Sequence, residues 1–91
     1  MDPEEIRAHI VERLNVMSES CNSHHCGHVA GVVRGLALAL TGKDIGPPER
    51  VERVLEPCGI PFVRNGDGVD IPSEWLLAHG LTDKFKWIEK R

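Results

Sequence analysis

Apolar residues return every three or four positions at the start of the chain. Ile6, Ile10, Leu14 and Met17 fall on one helical stripe, with charged residues between them. Asp2, Pro3 and Glu5 supply a cap, a first-turn proline and a capping-box spacing, so the pattern predicts a helix over residues 3–19. After the polar break at residues 20–23, a second helix is predicted from about 24 to 40, closed by Thr41-Gly42. Its apolar face is broad, with Val29, Val32, Val33, Leu36 and Leu40. Gly27, Gly31, Gly35 and Ala39 make a second stripe at four-residue spacing. A glycine inside a helix costs about 1 kcal/mol relative to alanine. Three on one line imply that another backbone comes close, belonging either to the first helix or to a second copy of the chain. Because most of its circumference is apolar or small, this helix is expected at the centre of the fold.

The later elements are shorter. Pro47-Pro48 opens a third helix whose Val51, Val54, Leu55 and Cys58 face inward, and Pro57 and Gly59 end it. Residues 60–71 read as a hairpin. Asn65-Gly66 is the preferred two-residue tip, which sets Phe62 opposite Val69 and Ile60 opposite Ile71. Ile60, Phe62, Val69 and Ile71 then share one face. A turn at Gly66-Asp67, which sets Arg64 opposite Val69, is the disfavoured register. Pro72-Ser73-Glu74 begins a short helix carrying Trp75, Leu76 and Leu77, and His79-Gly80 stops it. Residues 81–88, with Phe85, Trp87 and Ile88, are expected to add another helical turn or two. The fold class is mainly α with one β-hairpin (α+β): three helices, hairpin and short C-terminal helix, in a single domain over residues 1–91.

Charge and length narrow the function classes. Eleven Lys and Arg against fourteen Asp and Glu give a formal charge of −3, which argues against a strongly basic nucleic-acid clamp. The excess acidity sits in residues 1–22, where Asp2, Glu4, Glu5, Glu12 and Glu19 face only Arg7 and Arg13. That helix is a solvated face or an acidic docking surface for a basic partner. The beginning Met1-Asp2-Pro3-Glu4-Glu5 is unlike a signal peptide. The longest apolar run, residues 29–40, contains Arg34 and falls short of the roughly 20 residues that cross a bilayer. A cytoplasmic chain without a membrane partner is expected, its three cysteines reduced.

The densest chemistry is Cys21-Asn22-Ser23-His24-His25-Cys26-Gly27-His28. Zinc takes thiolate and imidazole in tetrahedral sets, and His24 and His28 stand one helical turn apart. Cys21, His24, Cys26 and His28 are thus candidate zinc ligands, with Cys58 or His9 available to complete a set. The alternative is a small buried Cys26 among polar histidines at a helix start. Cys26 in a first helical turn also allows a redox role. Crowding of His24, His25 and His28 leads to the expectation that protonation near pH 6 costs stability. No nucleophile–base set is visible, and so short a chain has little room for a pocket of roughly 300 Å³ or more. A non-enzymatic chain is expected.

The order of three helices, hairpin and terminal helix resembles a winged-helix domain, with residues 41–71 similar to its second half. That resemblance implies DNA contacts from Lys43, Arg50, Arg53 and Arg64. Against it, the second helix is long for that fold. The presumed reading helix, residues 49–56, also carries three acids that cancel its two arginines. The leading expectation is a regulatory or interaction module that binds another protein, with self-association as a homodimer through Gly27, Gly31, Gly35 and Ala39 as one form. A DNA-binding regulator, with metal at the cysteine–histidine cluster as its gate, and a zinc-stabilised domain are the alternatives.

Overall fold

In the computed structural model, residues 2–19, 23–47, 51–66, 68–81 and 85–88 are described, without the side chains of 17–19, 23–26 and 86–88. Their elements, in chain order, are α1 (Pro3–Glu19), α2 (Ser23–Thr41), α3 (Val51–Leu55), β1 (Val63–Asn65), β2 (Gly68–Asp70), α4 (Ser73–Ala78) and β3 (Lys86–Ile88). The fold is a mainly helical small globule with an antiparallel hairpin and a short C-terminal helix.

The amphipathic stripe of α1 does what its period requires. Ile6, Ile10, Val11 and Leu14 are buried, and α1 packs most extensively against α2. Asp2 starts the helix, its carbonyl accepting the Ile6 amide at 3.0 Å. From α2 only the line Val29, Val33 and Ala37 is fully buried, with Leu36 and Leu40 packed beside it. The glycines lie on a line offset by two residues, about 200° round the helix, and Gly27, Gly31, Gly35 and Ala39 are all exposed. The expected central position of this helix is therefore corrected: α2 flanks the core with one face. Among the described residues the expected close approach from within the chain is also absent, because a Cβ added at Gly27, Gly31 or Gly35 meets nothing within 4 Å.

Both short helices that bracket the hairpin end in the same device. After α3, Gly59 donates to the Glu56 carbonyl at 3.1 Å and Ile60 to the Leu55 carbonyl at 3.0 Å. After α4, Gly80 donates to Leu77 at 3.1 Å and Leu81 to Leu76 at 2.9 Å. These paired bonds are Schellman closures, and they need a left-handed residue at the glycine. Gly59 and Gly80 both have φ of 71°. The residue after each glycine, Ile60 or Leu81, is buried or packed against the core, so each closure also turns an apolar side chain inward.

The hairpin differs from the preferred register. Val63 pairs with Asp70, Arg64 with Val69 and Asn65 with Gly68, which puts Gly66-Asp67 at the tip. The first central position of a primed turn needs positive φ, which costs glycine nothing. Gly66 takes it at 63°, while among the described residues no non-glycine residue has positive φ. The same register lets Arg64 pair with Glu52 of α3 and lets the Asn65 Nδ2 donate to Asp70 at 3.3 Å. The slip is by two residues, and side chains alternate with period two, so the faces survive it. Ile60, Val69 and Ile71 are buried and Phe62 is half-buried, as the pattern required.

Residues 86–88 form no helix. They add β3 antiparallel to β2, which makes β2 the middle strand of three and leaves Val69 fully buried there. Phe85, just before it, joins the core, and β3 touches α1.

Replacing Gly80 by alanine forces a left-handed alanine at the end of α4. Gly80→Ala is expected to lower unfolding stability by about 1–2 kcal/mol, read from urea denaturation, with the folded spectrum retained.

Candidate functional site

The most connected polar cluster lies where the start of α1 meets the end of α4. Glu4 and Arg7 are one turn apart on α1, and they form an ion pair through Glu4 Oε1 and Arg7 Nη1. Glu4's second oxygen, Oε2, is bonded by His79 Nε2, a residue placed at the C-cap of α4. The other ring nitrogen, Nδ1, lies 2.7 Å from the Trp75 carbonyl one turn back. The imidazole also stacks on the Trp75 indole, with centroids 3.7 Å apart and planes inclined by 20°. Arg7 extends the chain of contacts, its Nε donating to the Cys58 carbonyl at 2.7 Å. Four side chains and two backbone carbonyls thus tie α1 to both Schellman-closed ends.

The electrostatics follow from this wiring. Burial pulls His79 toward its neutral form, but the hydrogen bond with Glu4, the Trp75 carbonyl and the Glu4 charge together raise its pKa above 6.5. The hydrogen bond from His79 holds the Glu4 carboxyl below its usual value; burial opposes it, and the Arg7 and His79 charges reinforce it. Burial pushes the Cys58 thiol up, with Arg7 pulling weakly the other way.

An open groove of about 380 Å³ runs beside the cluster, lined among others by Glu4, Glu5, His9, Glu12 and His79. A second cleft of about 450 Å³ lies on the other side of Arg7, against Leu40, Lys43, Ile45 and Gly59. Both exceed the size expected for so short a chain. They arise at seams between short elements rather than within a core, and both are open to solvent.

The residues singled out from sequence fare differently. Of the zinc candidates, Cys21 lies outside the described residues, as do the side chains of His24 and Cys26. His28 is exposed. Cys58 is buried beside Arg7, and His9 is exposed near Glu12 at 3.8 Å. Among the described residues no group of three His, Cys, Asp or Glu side chains is placed to hold a metal. Of the DNA candidates, Arg50 lies outside the described residues, Lys43 and Arg53 are exposed, and Arg64 is paired with Glu52. The acids of the presumed reading helix thus neutralise at least one of the cations meant for phosphate.

The exposed side of α2 carries Gly27, His28, Gly31, Arg34, Gly35, Leu38 and Ala39. Leu38 is 46% exposed on that side. Arg34 forks onto both oxygens of Asp44 at 2.6 Å, pinning the loop that follows the helix. That fork, together with the Gly46 amide, holds the Asp44 carboxyl at about 2. The contact between Glu4 and His79 was not legible in advance, since 75 residues separate them. The one available signal was a histidine just before a helix-ending glycine. Among the described residues no helix is long and apolar enough to cross a membrane. No family model, curated protein or solved structure matches the chain.

Burial makes Cys58 a packing residue rather than a nucleophile. Alkylation of the native protein at pH 8 is expected to leave Cys58 unmodified while unfolded protein reacts fully, as mapped by peptide mass. Equal rates in the two states would show the thiol to be accessible.

Proposed function

We propose that the chain is a small, non-enzymatic cytoplasmic interaction module that binds another protein, and that the partner at its α2 face is a second copy of itself. The observation that carries this reading is the open glycine line. Gly27, Gly31 and Gly35 each weaken α2 by about 1 kcal/mol relative to alanine, and nothing among the described residues packs where their side chains would be. The sum is a large share of the stability of a small domain, which is about 5–15 kcal/mol in total. Inside a single chain that cost has no return.

A second helix resting in the shallow trough does provide one. Helix axes approach according to the side chains at the contact, and glycine and alanine at every fourth position allow the shortest distance. A line of this kind is complementary to its own copy about a two-fold axis, where each patch meets the same patch. Leu38 beside the line supplies apolar area for such a contact. Its Arg34 neighbour, already neutralised by Asp44, does not repel a second copy.

Gly31→Leu tests the reading without threatening the fold, since the space there is open. The parent chain is expected to sediment as a dimer and Gly31→Leu as a monomer with unchanged helical content. In dilute, dissociated protein Gly31→Ala is expected to gain about 0.5–1 kcal/mol, and to weaken the dimer when concentrated. A parent chain that remains a monomer at the highest concentration reached overturns the proposal.

A further inference from the structure

We propose that His79 is a proton-operated clasp: carrying hydrogens on both ring nitrogens, it ties the end of α4 to the start of α1, and losing one of them it lets go of Glu4 and opens the groove between the two helices. The argument is one of hydrogen-bond inventory. A neutral imidazole has one N–H donor and one lone-pair acceptor. His79 faces acceptors on both sides, the Trp75 carbonyl at 2.7 Å from Nδ1 and the Glu4 carboxylate at Nε2. A carbonyl never donates, and a carboxylate donates only when protonated. The Arg7 guanidinium on the other oxygen of Glu4 keeps that carboxyl ionised. With Glu4 ionised, only the imidazolium satisfies both contacts. The stacked indole of Trp75 favours the same charge state, because an aromatic face attracts a cation.

The charged neighbours come from both packed elements. From α1, Glu4 is in contact, Arg7 opposes the charge at longer range, and Glu5, His9 and Glu12 line the same groove. From α4, the Trp75 carbonyl is in contact and Glu74 lies on the same helix. Carboxylates outnumber cations in this set, so the surroundings favour the imidazolium. When the pH rises the ring loses one proton; the Trp75 carbonyl, fixed one turn back on the same helix, keeps the hydrogen on Nδ1, so a lone pair at Nε2 confronts the Glu4 carboxylate. The two then repel, and the groove edge formed by Glu4 and His79 separates.

The sign of the pH effect follows. His79 has a folded pKa above 6.5, so its contribution to stability is complete below 6.5 and is lost as the pH rises through the folded value. Glu4 has a folded pKa below 4.5, so its contribution is present above 4.5 and is lost as the pH falls through that lower value. The clasp is therefore strongest between about pH 4.5 and 6.5. This runs opposite to the loss near pH 6 expected for a crowd of histidines at residues 24–28. None of the groove's described lining residues comes from α2, so the clasp stands or falls independently of self-association.

Proton and nitrogen NMR of the unaltered protein tests it directly. At pH 6 both ring nitrogens of His79 are expected to show the shifts of protonated imidazolium, with a titration midpoint above 6.5. Cross-peaks between the His79 and Glu4 side chains are expected to fade through that same midpoint. Glu4→Gln, which keeps shape and removes charge, is expected to lower the midpoint by about one unit. A midpoint at or below 6.5, a single neutral tautomer at pH 6, or cross-peaks that persist in the deprotonated state would each overturn the clasp.

Discussion

The fold depends on one apolar seam, the line Ile6, Ile10 and Leu14 of α1 laid against Val29, Val33 and Ala37 of α2. A chain of this length hides only about 60–65% of its unfolded surface, so it has no second core to fall back on. Everything smaller is seated on that seam. The five short helical and strand units after α2 have five, three, three, six and three residues, too few to persist alone. They hold their shape because Val54, Leu55, Val69, Ile71 and Leu76 insert into the same cluster. The single-sided burial of α2 follows from this economy. One face is enough to complete the seam, and the other is left to solvent.

How much of this could be read in advance depends on how local the signal is. The four helices were legible because their apolar period is long or their ends carry proline and glycine at the expected places; Gly59 and Gly80 close α3 and α4 by the same pair of bonds. The buried face of the hairpin was legible and its register was not. Alternation has period two and cannot distinguish registers two residues apart, so the decision fell to the turn, where positive φ at Gly66 outweighs the Asn-Gly preference. Three residues at β3 are too few to separate a strand from a helical turn. The glycine line of α2 was visible in the sequence, but a pattern within one helix shows only that side chains are missing at that face, not what fills the space.

The candidate sites were less legible than the fold for a related reason. The cysteine–histidine cluster is dense in sequence, but Cys21 and the side chains of His24 and Cys26 lie outside the described residues; His28 is exposed and Cys58 is buried. Glu4 and His79, from opposite ends of the chain, meet because α1 and α4 flank one groove.

The polar wiring also has a common logic. The C-terminal carbonyls of a helix carry partial negative charge and favour a nearby cation. At the end of α3 the cation is Arg7, bonded to the Cys58 carbonyl. At the end of α4 it is the His79 ring, bonded to the Trp75 carbonyl. Both cations lean on the same carboxylate, Glu4, in the first turn of α1, where the amide end of that helix favours negative charge. One acid thus joins three helix ends whose dipoles point the right way for it. Arg7 is permanently charged and keeps its link for as long as Glu4 is ionised, whereas the imidazole link also depends on a proton of its own. The arrangement pairs a fixed tie with a releasable one across the same residue, so the end of α4 can move while the end of α3 stays in place.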